Sequence, residues 1–212
     1  MDKKNTLIIL EKILCKLLKC NVLPEKSYLA GGTAVYFYFK HRVSVYLDFF
    51  SPTPFNSELV IHKIKECIGH VDLALMENNT IILFFSTEKV KFSLFYFPYK
   101  NLQENRSITL MDGSSCPLAS LEDIEAMKSI AISQRGSVKY FIDLFFIAQK
   151  TGHQFDDILK LVSAKYLLEK SYEYQLKTSF IYFDDAEKEV GNIVMFNDNN
   201  EAVTPPGHLF VN

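Results

Sequence analysis

The chain has 212 residues, 48% of them hydrophobic, with a formal net charge of −2 and with lysines and arginines scattered along it. That composition supports a sizeable packed core, argues against disorder except at the C-terminal end, and lends no support to a broad nucleic-acid- or membrane-binding surface. No stretch approaches the roughly 18 uninterrupted apolar residues of a membrane span, and the charged start MDKKNTLIILEKILCKLLKC is unlike a signal peptide, so the expected location is cytoplasmic, with no membrane partner.

Leu7, Ile8, Ile13, Leu14, Leu17 and Leu18 recur at helical spacing after the candidate cap Asn5, which predicts an amphipathic helix ending near Asn21. SYLA reads as a short strand running into Gly31 and Gly32; Thr33 opens a helix to Lys40, and SVYLDFFS is a second strand. Asn56 caps a helix through Cys67. VDLALME, the turn residues Asn78 and Asn79, and TIILFFS then read as a hairpin, and KVKFSLFYF continues the sheet to Pro98. Residues 98–117 are polar and turn-rich, as expected of a link. Ser120 and Asp123 resemble a capping box for LEDIEAMKSIAISQ, Gly136 breaks that helix, and SVKYFIDLFFIAQK and FDDILKLVSAKYLLEK complete a helical half. The end carries one hairpin signal about residues 197–200, then Pro205 and Pro206, and is expected to be a loosely held tail. Cys15, Cys20, Cys67 and Cys116 show no CxxC spacing and no nearby histidine pattern, which predicts buried free thiols rather than a zinc site or disulfide framework. The expected organisation is an α/β domain over residues 1–98, a helical subdomain over 117–189 and a tail over 190–212.

Gly31, Gly32 and Thr33 at a helix start offer N–H groups, a positive dipole end and a hydroxyl, which suit the terminal phosphates of a nucleotide. They equally suit a plain tight turn that uses glycine for a positive φ. Asp48 lies between Leu47 and Phe49, where a carboxylate is costly unless hydrated, paired or holding a cation. Strand residues two apart share a face, so a D-x-D pair can grip a divalent cation; here the residue two before Asp48 is Tyr46, whose neutral phenol is a poor ligand for a hard cation. The alternative for Asp48 is a salt bridge to Arg42 or His41. Lys128 and Arg135 are seven residues apart and share a helix face, either towards a phosphate or towards solvent, with Glu122 and Glu125 expected in solvent. Lys139 and Asp143, at i and i+4, read as a surface ion pair. The aromatic residues of VYFYF and FSLFYFPY fit either core packing or a surface that stacks a base.

The stretch YLAGGTAVYFYFKHRVSVYLDFFSP resembles the opening motif of the AbiEii/AbiGii toxin nucleotidyltransferases, in which a Gly-Gly-Thr turn precedes an HR-x-S-x-D-L-D-F-F strand. LASLEDIEAMKSIAISQRGSVKYFIDLFFI is similar to that family's helical motif, and YFDDAE to its late signature, so the resemblance spans residues 7–189. It implies an α+β fold: a nucleotidyltransferase-like mixed sheet with flanking helices, followed by a helical subdomain. It also implies transfer of a nucleoside monophosphate from a nucleoside triphosphate to a hydroxyl on RNA or protein, with Mg²⁺ or Mn²⁺, and a cognate antitoxin as partner. The resemblance assigns Gly31, Gly32, Thr33, Arg42, Ser44, Lys128 and Arg135 to the nucleotide, Asp48 to the metal, and Asp48, Lys128 and Asp143 to catalysis. The family's first strand aspartate is Tyr46 here, its third carboxylate aligns with Ser93, and its K-D pair is Lys139 and Tyr140. These departures lead to an expectation of weak metal binding and reduced activity, or of an eroded module that binds nucleotide or partner without catalysis.

Overall fold

In the computed structural model the described residues are 3–196 and 201–203. They fall into two compact units that interleave along the chain. One comprises the residues up to Ala34 with Ser44–Lys100 and Asn105–Ala119; the other comprises Val35–Val43, Asn101–Glu104 and the residues from Ser120 onward.

The first unit is built on a seven-stranded mixed sheet. Its strands are β1 (Tyr28–Ala30), β2 (Tyr46–Ser51), β3 (Asp72–Glu77), β4 (Thr80–Phe85), β5 (Val90–Tyr96), β6 (Arg106–Thr109) and β7 (Ser115–Leu118), in the spatial order β3-β4-β5-β2-β1-β7-β6. β2 runs parallel to β5 and antiparallel to β1. Alternation in the central strands decides which side is core: Leu47 and Phe49 of β2, Ile81, Leu83 and Phe85 of β4, and Val90, Phe92 and Leu94 of β5 share one buried face. Burying each such side chain contributes about 1.5–3 kcal/mol. The other face presents Tyr46, Asp48 and Phe50 from β2 beside Lys91, Ser93 and Phe95 from β5, in register. Helix α1 (Lys3–Lys19) packs on α3 (Ser57–Ile68), which begins at Asn56, whose side chain accepts the Leu59 N–H as expected.

Two expectations fail in this unit. Residues 98–117 are more than a link, because β6 and β7 form an antiparallel hairpin within them, and β7 joins the sheet beside β1. Cys20 and Cys67 form a disulfide: the C-terminal ends of α1 and α3 lie side by side, with the two Cα atoms 6.1 Å apart. Cys15 and Cys116 are buried free thiols as expected, and burial pushes the Cys116 thiol up to about 12.

The second unit is helical. It contains α4 (Leu121–Gln134), α5 (Val138–Thr151), α6 (Phe155–Tyr166), α7 (Lys170–Phe180) and α8 (Asp184–Glu189). α4 is central and packs on α5, α6 and α7; Ala126, Ile158, Val162 and Leu176 form one apolar cluster, and Val138, Ile142, Ala186 and Val190 another. Ser120 caps α4 by accepting the Asp123 N–H. The stretch expected as one helix over FDDILKLVSAKYLLEK breaks at Leu167, which adopts a left-handed φ of 53° and ends α6. The expected loose tail is also corrected in part. β8 (Met195–Phe196) pairs with β9 (Ala202–Val203), the Val43 N–H donates to the Val194 carbonyl, and the Phe196 N–H donates to the His41 carbonyl. The turn expected at residues 197–200 and the end beyond residue 203 lie outside the described residues.

Candidate functional site

The corner where β1 turns into the helix α2 (Gly31–Phe39) gathers the residues singled out in the opening motif. Gly31 has a φ of +67°, and a Cβ built on it would lie 2.7 Å from Asp48 Oδ2, so glycine is required both by the backbone and by the close approach of the Asp48 carboxylate. β1 pairs with β2 so that Ala30, the residue before this turn, stands opposite Asp48. The helix start and the carboxylate are thus neighbours, as the sequence implied. Thr33 and Ser44, expected to contact nucleotide, are both buried; the Thr33 hydroxyl donates to the Tyr46 carbonyl and lies 2.8 Å from Ser44 Oγ. These contacts tie α2 to the start of β2 and fix the shape of the turn.

The β2–β5 register makes the departures concrete. Asp48 stands opposite Ser93 and Tyr46 opposite Lys91, and the Lys91 ammonium lies 5.8 Å from the centroid of the Tyr46 ring. Ser93 is 1% exposed and its hydroxyl makes no hydrogen bond. Phe50 and Phe95 continue this face, with ring centroids 5.7 Å apart. A divalent cation at Asp48 would meet one carboxylate, with a phenol two residues before it and a hydroxyl across the pair. Hard cations favour several charged oxygens, so this donor set does not fit the paired-carboxylate arrangement that the family resemblance implies. Among the described residues no group of three or more His, Cys, Asp or Glu side chains is gathered for a metal.

The second unit holds a different cluster. Asp143, fully buried on α5, accepts from Arg42 Nε and Nη2 at 2.7 Å each and from His41 Nε2 at 2.7 Å, and Lys128 Nζ is 2.8 Å away. Burial works against the Asp143 charge, but Lys128, Arg42 and the hydrogen bond from His41 outweigh it and hold the carboxyl far below the ordinary carboxylate range. Burial holds the His41 imidazole below its ordinary value, and so neutral, although the Asp143 carboxylate favours its protonation. One negative charge therefore faces two fixed positive charges, with the Lys128 ammonium also 4.9 Å from the Tyr140 ring centroid.

This arrangement corrects two local readings. His41 and Arg42 pair with Asp143 rather than with Asp48, and Asp143 is an internal anchor rather than the surface partner of Lys139. Arg135 is the C-cap of α4, and its exposed guanidinium lies 3.3 Å from Glu189. Glu125, expected in solvent, is fully buried and paired with His153 at 2.7 Å. Sequence reasoning missed this pair, and also the buried Lys165 ammonium on Asp123, because the partners are on different elements with no shared spacing.

Residues 12–190 match the sequence profile of the family described as "Nucleotidyl transferase AbiEii toxin, Type IV TA system". An uncharacterized protein of Aquifex aeolicus (strain VF5) is 34% identical over 169 residues, which cover 77% of this chain and 76% of that protein. Among solved structures, JHP933 from Helicobacter pylori is 16% identical with a TM-score of 0.51, covering 82% of this chain and 90% of that one. The antibiotic-resistance factor ANT(2'')-Ia is 14% identical with a TM-score of 0.55, covering 85% and 98%. At these identities the two structures are similar in fold alone.

Proposed function

The chain belongs to the AbiEii nucleotidyltransferase toxin family of type IV toxin–antitoxin systems, and we propose that it binds a nucleoside triphosphate at the Gly31–Asp48 corner and transfers the nucleoside monophosphate only slowly to a hydroxyl on RNA or protein. The observation that carries the reading is the β2–β5 register. It sets Ser93 opposite Asp48, and Tyr46 lies two residues before Asp48 on the same face, where further acids would stand, while the pairing of β1 with β2 keeps the helix start beside the one carboxylate.

On this reading the N–H groups and dipole at the start of α2 receive the phosphates, while Thr33 and Ser44 hold the turn in shape. The acceptor oxygen bonds to the α-phosphorus as the bond to the bridging oxygen breaks, pyrophosphate leaves, and Asp48 takes the acceptor's proton. Family members generally use a divalent metal; Mg²⁺ or Mn²⁺ held by Asp48 alone would be held weakly. Within the helical unit Asp143 holds Arg42 and Lys128 in place, and Arg135 is engaged with Glu189. A cognate antitoxin is the expected partner. No helix among the described residues is long and apolar enough to cross a membrane, and the cytoplasm, which holds triphosphates and RNA, is the proposed location.

The missing acids also favour a second reading, a module that binds nucleotide without transferring it. The two separate in one experiment. The protein is incubated with each α-labelled triphosphate, Mg²⁺ or Mn²⁺, and total tRNA or protein extract. Slow transfer that Asp48→Asn removes supports the first reading, binding without transfer supports the second, and absence of binding refutes both.

A further inference from the structure

We infer that Tyr46 is itself an acceptor at the Gly31–Asp48 corner: its phenol takes the nucleoside monophosphate, and the chain labels itself. The inference rests on the proposed nucleotide site and names a hydroxyl for that reaction.

The proposed transfer needs a hydroxyl within reach of the α-phosphorus. Thr33, Ser44, Tyr46 and Ser93 bear hydroxyls at the corner. Thr33, Ser44 and Ser93 are 1%, 3% and 1% exposed, and the first two are held by the contacts that shape the turn. An incoming phosphate cannot reach side chains closed off to this degree. Tyr46 differs. It is 38% exposed, and it shares the sheet face of Asp48, two residues further along β2.

Two contacts set Tyr46 beside the start of α2. The Thr33 hydroxyl donates to the Tyr46 carbonyl, which ties the first turn of the helix to this residue's backbone. A Cβ built on Gly31 would meet Asp48 Oδ2 at 2.7 Å, and Asp48 is displaced from Tyr46 by a two-residue rise of about 6.6 Å. A tyrosine side chain is long enough to carry its hydroxyl across that interval. The Lys91 ammonium, 5.8 Å from the ring centroid, favours a ring held on this face. The residue that stands where the family carries an acid thus brings a nucleophile to the site.

In the step, Tyr46 Oη bonds to the α-phosphorus as the bond to the bridging oxygen breaks. Pyrophosphate leaves, the phenolic proton passes to water, and a phosphodiester joins Tyr46 to the nucleoside. The product keeps its nucleoside in the corner, so each chain reacts once.

The full-length protein, with no RNA or extract, is incubated with each α-labelled triphosphate in Mg²⁺ or Mn²⁺. Label that survives a denaturing gel is counted, and peptide mass spectrometry locates it. Label is expected on Tyr46, at up to one per chain, with a rate constant independent of protein concentration; γ-labelled triphosphate should leave none. Tyr46→Phe should cut the label about tenfold or more while retaining nucleotide binding by calorimetry. Tyr174→Phe, at an exposed position on α7, should leave it unchanged. Thermal unfolding checks that both variants fold. Unchanged label in folded Tyr46→Phe, label at another residue, label retained from the γ position, or a rate constant that rises with protein concentration each overturns the inference. Transfer to added tRNA or extract without self-labelling overturns it and leaves the proposed transfer standing. Binding without any transfer overturns it and supports the binding module, and absence of binding refutes the proposed site as well.

Discussion

Replacing Asp143 by Asn tests whether this residue is an anchor of the helical unit. The carboxylate is fully buried, and its oxygens are shared among Arg42, Lys128 and His41. An amide of the same shape leaves the Arg42 and Lys128 charges, themselves 4% and 6% exposed, with no negative partner between them. Removing one member of a buried charge cluster costs about 3–5 kcal/mol, which for a chain of this size is roughly 6–20 °C in melting temperature. Urea unfolding followed by circular dichroism at pH 7 measures the loss, and adding Lys128→Met to Asp143→Asn should recover part of it by removing one stranded cation. The pH dependence supplies a second readout. Because the folded Asp143 carboxyl lies below its ordinary value of 3.8, its contribution is present above that pH and is lost as pH falls towards the folded value. Asp143→Asn should therefore flatten the acid limb of the stability profile. Unfolding within about 1 kcal/mol of the unaltered protein, or an unchanged acid limb, would refute the anchor role.

Cys20→Ser should remove the disulfide that closes a sequence separation of 47, lowering stability by up to about 4 kcal/mol on the loop-entropy account; the urea midpoint of the unaltered protein should fall on adding dithiothreitol and that of the variant should not. Gly31→Ala should destabilise by about 1–3 kcal/mol, since the φ of +67° and the 2.7 Å approach of Asp48 Oδ2 both oppose a side chain, and thermal unfolding checks it. Burial raises the Glu125 carboxyl above its ordinary 4.5, so its contribution is present below that pH and is lost as pH rises through the folded value. Glu125→Gln should therefore gain stability relative to the unaltered protein as pH rises above 4.5, as a pair of urea curves would show.

Local signals carried much of the fold. The alternation of β4 and β5, the Asn56 and Ser120 caps, and the glycines at the start of α2 are short-range patterns, and each produced the element it predicted. What failed depends on which distant segments meet. Cys20 and Cys67 gave no spacing signal, because only the packing of α1 on α3 brings them together. The β6–β7 hairpin was hidden by polar residues, which are tolerated in strands near a sheet edge. Asp143 looked like a surface partner of Lys139 because helical spacing reveals neighbours on one helix and not those from another element; His41, Arg42 and Lys128 come from elsewhere in the chain. At the candidate site the sequence placed Asp48 and Tyr46 on one face and aligned Ser93 with them, and the register agrees.

The central claim is that this corner keeps a phosphate-binding helix start while lacking the acids that would hold a catalytic metal. Its most direct test is nucleotide transfer by the Tyr46→Asp/Ser93→Asp double variant, which places carboxylates beside and opposite Asp48. Label moved from α-labelled triphosphate to tRNA or protein extract is measured with Mg²⁺ and with EDTA. The account predicts slow transfer by the unaltered protein and faster, Mg²⁺-dependent transfer by the folded double variant. Efficient transfer by the unaltered protein, with no gain in the double variant, would contradict it.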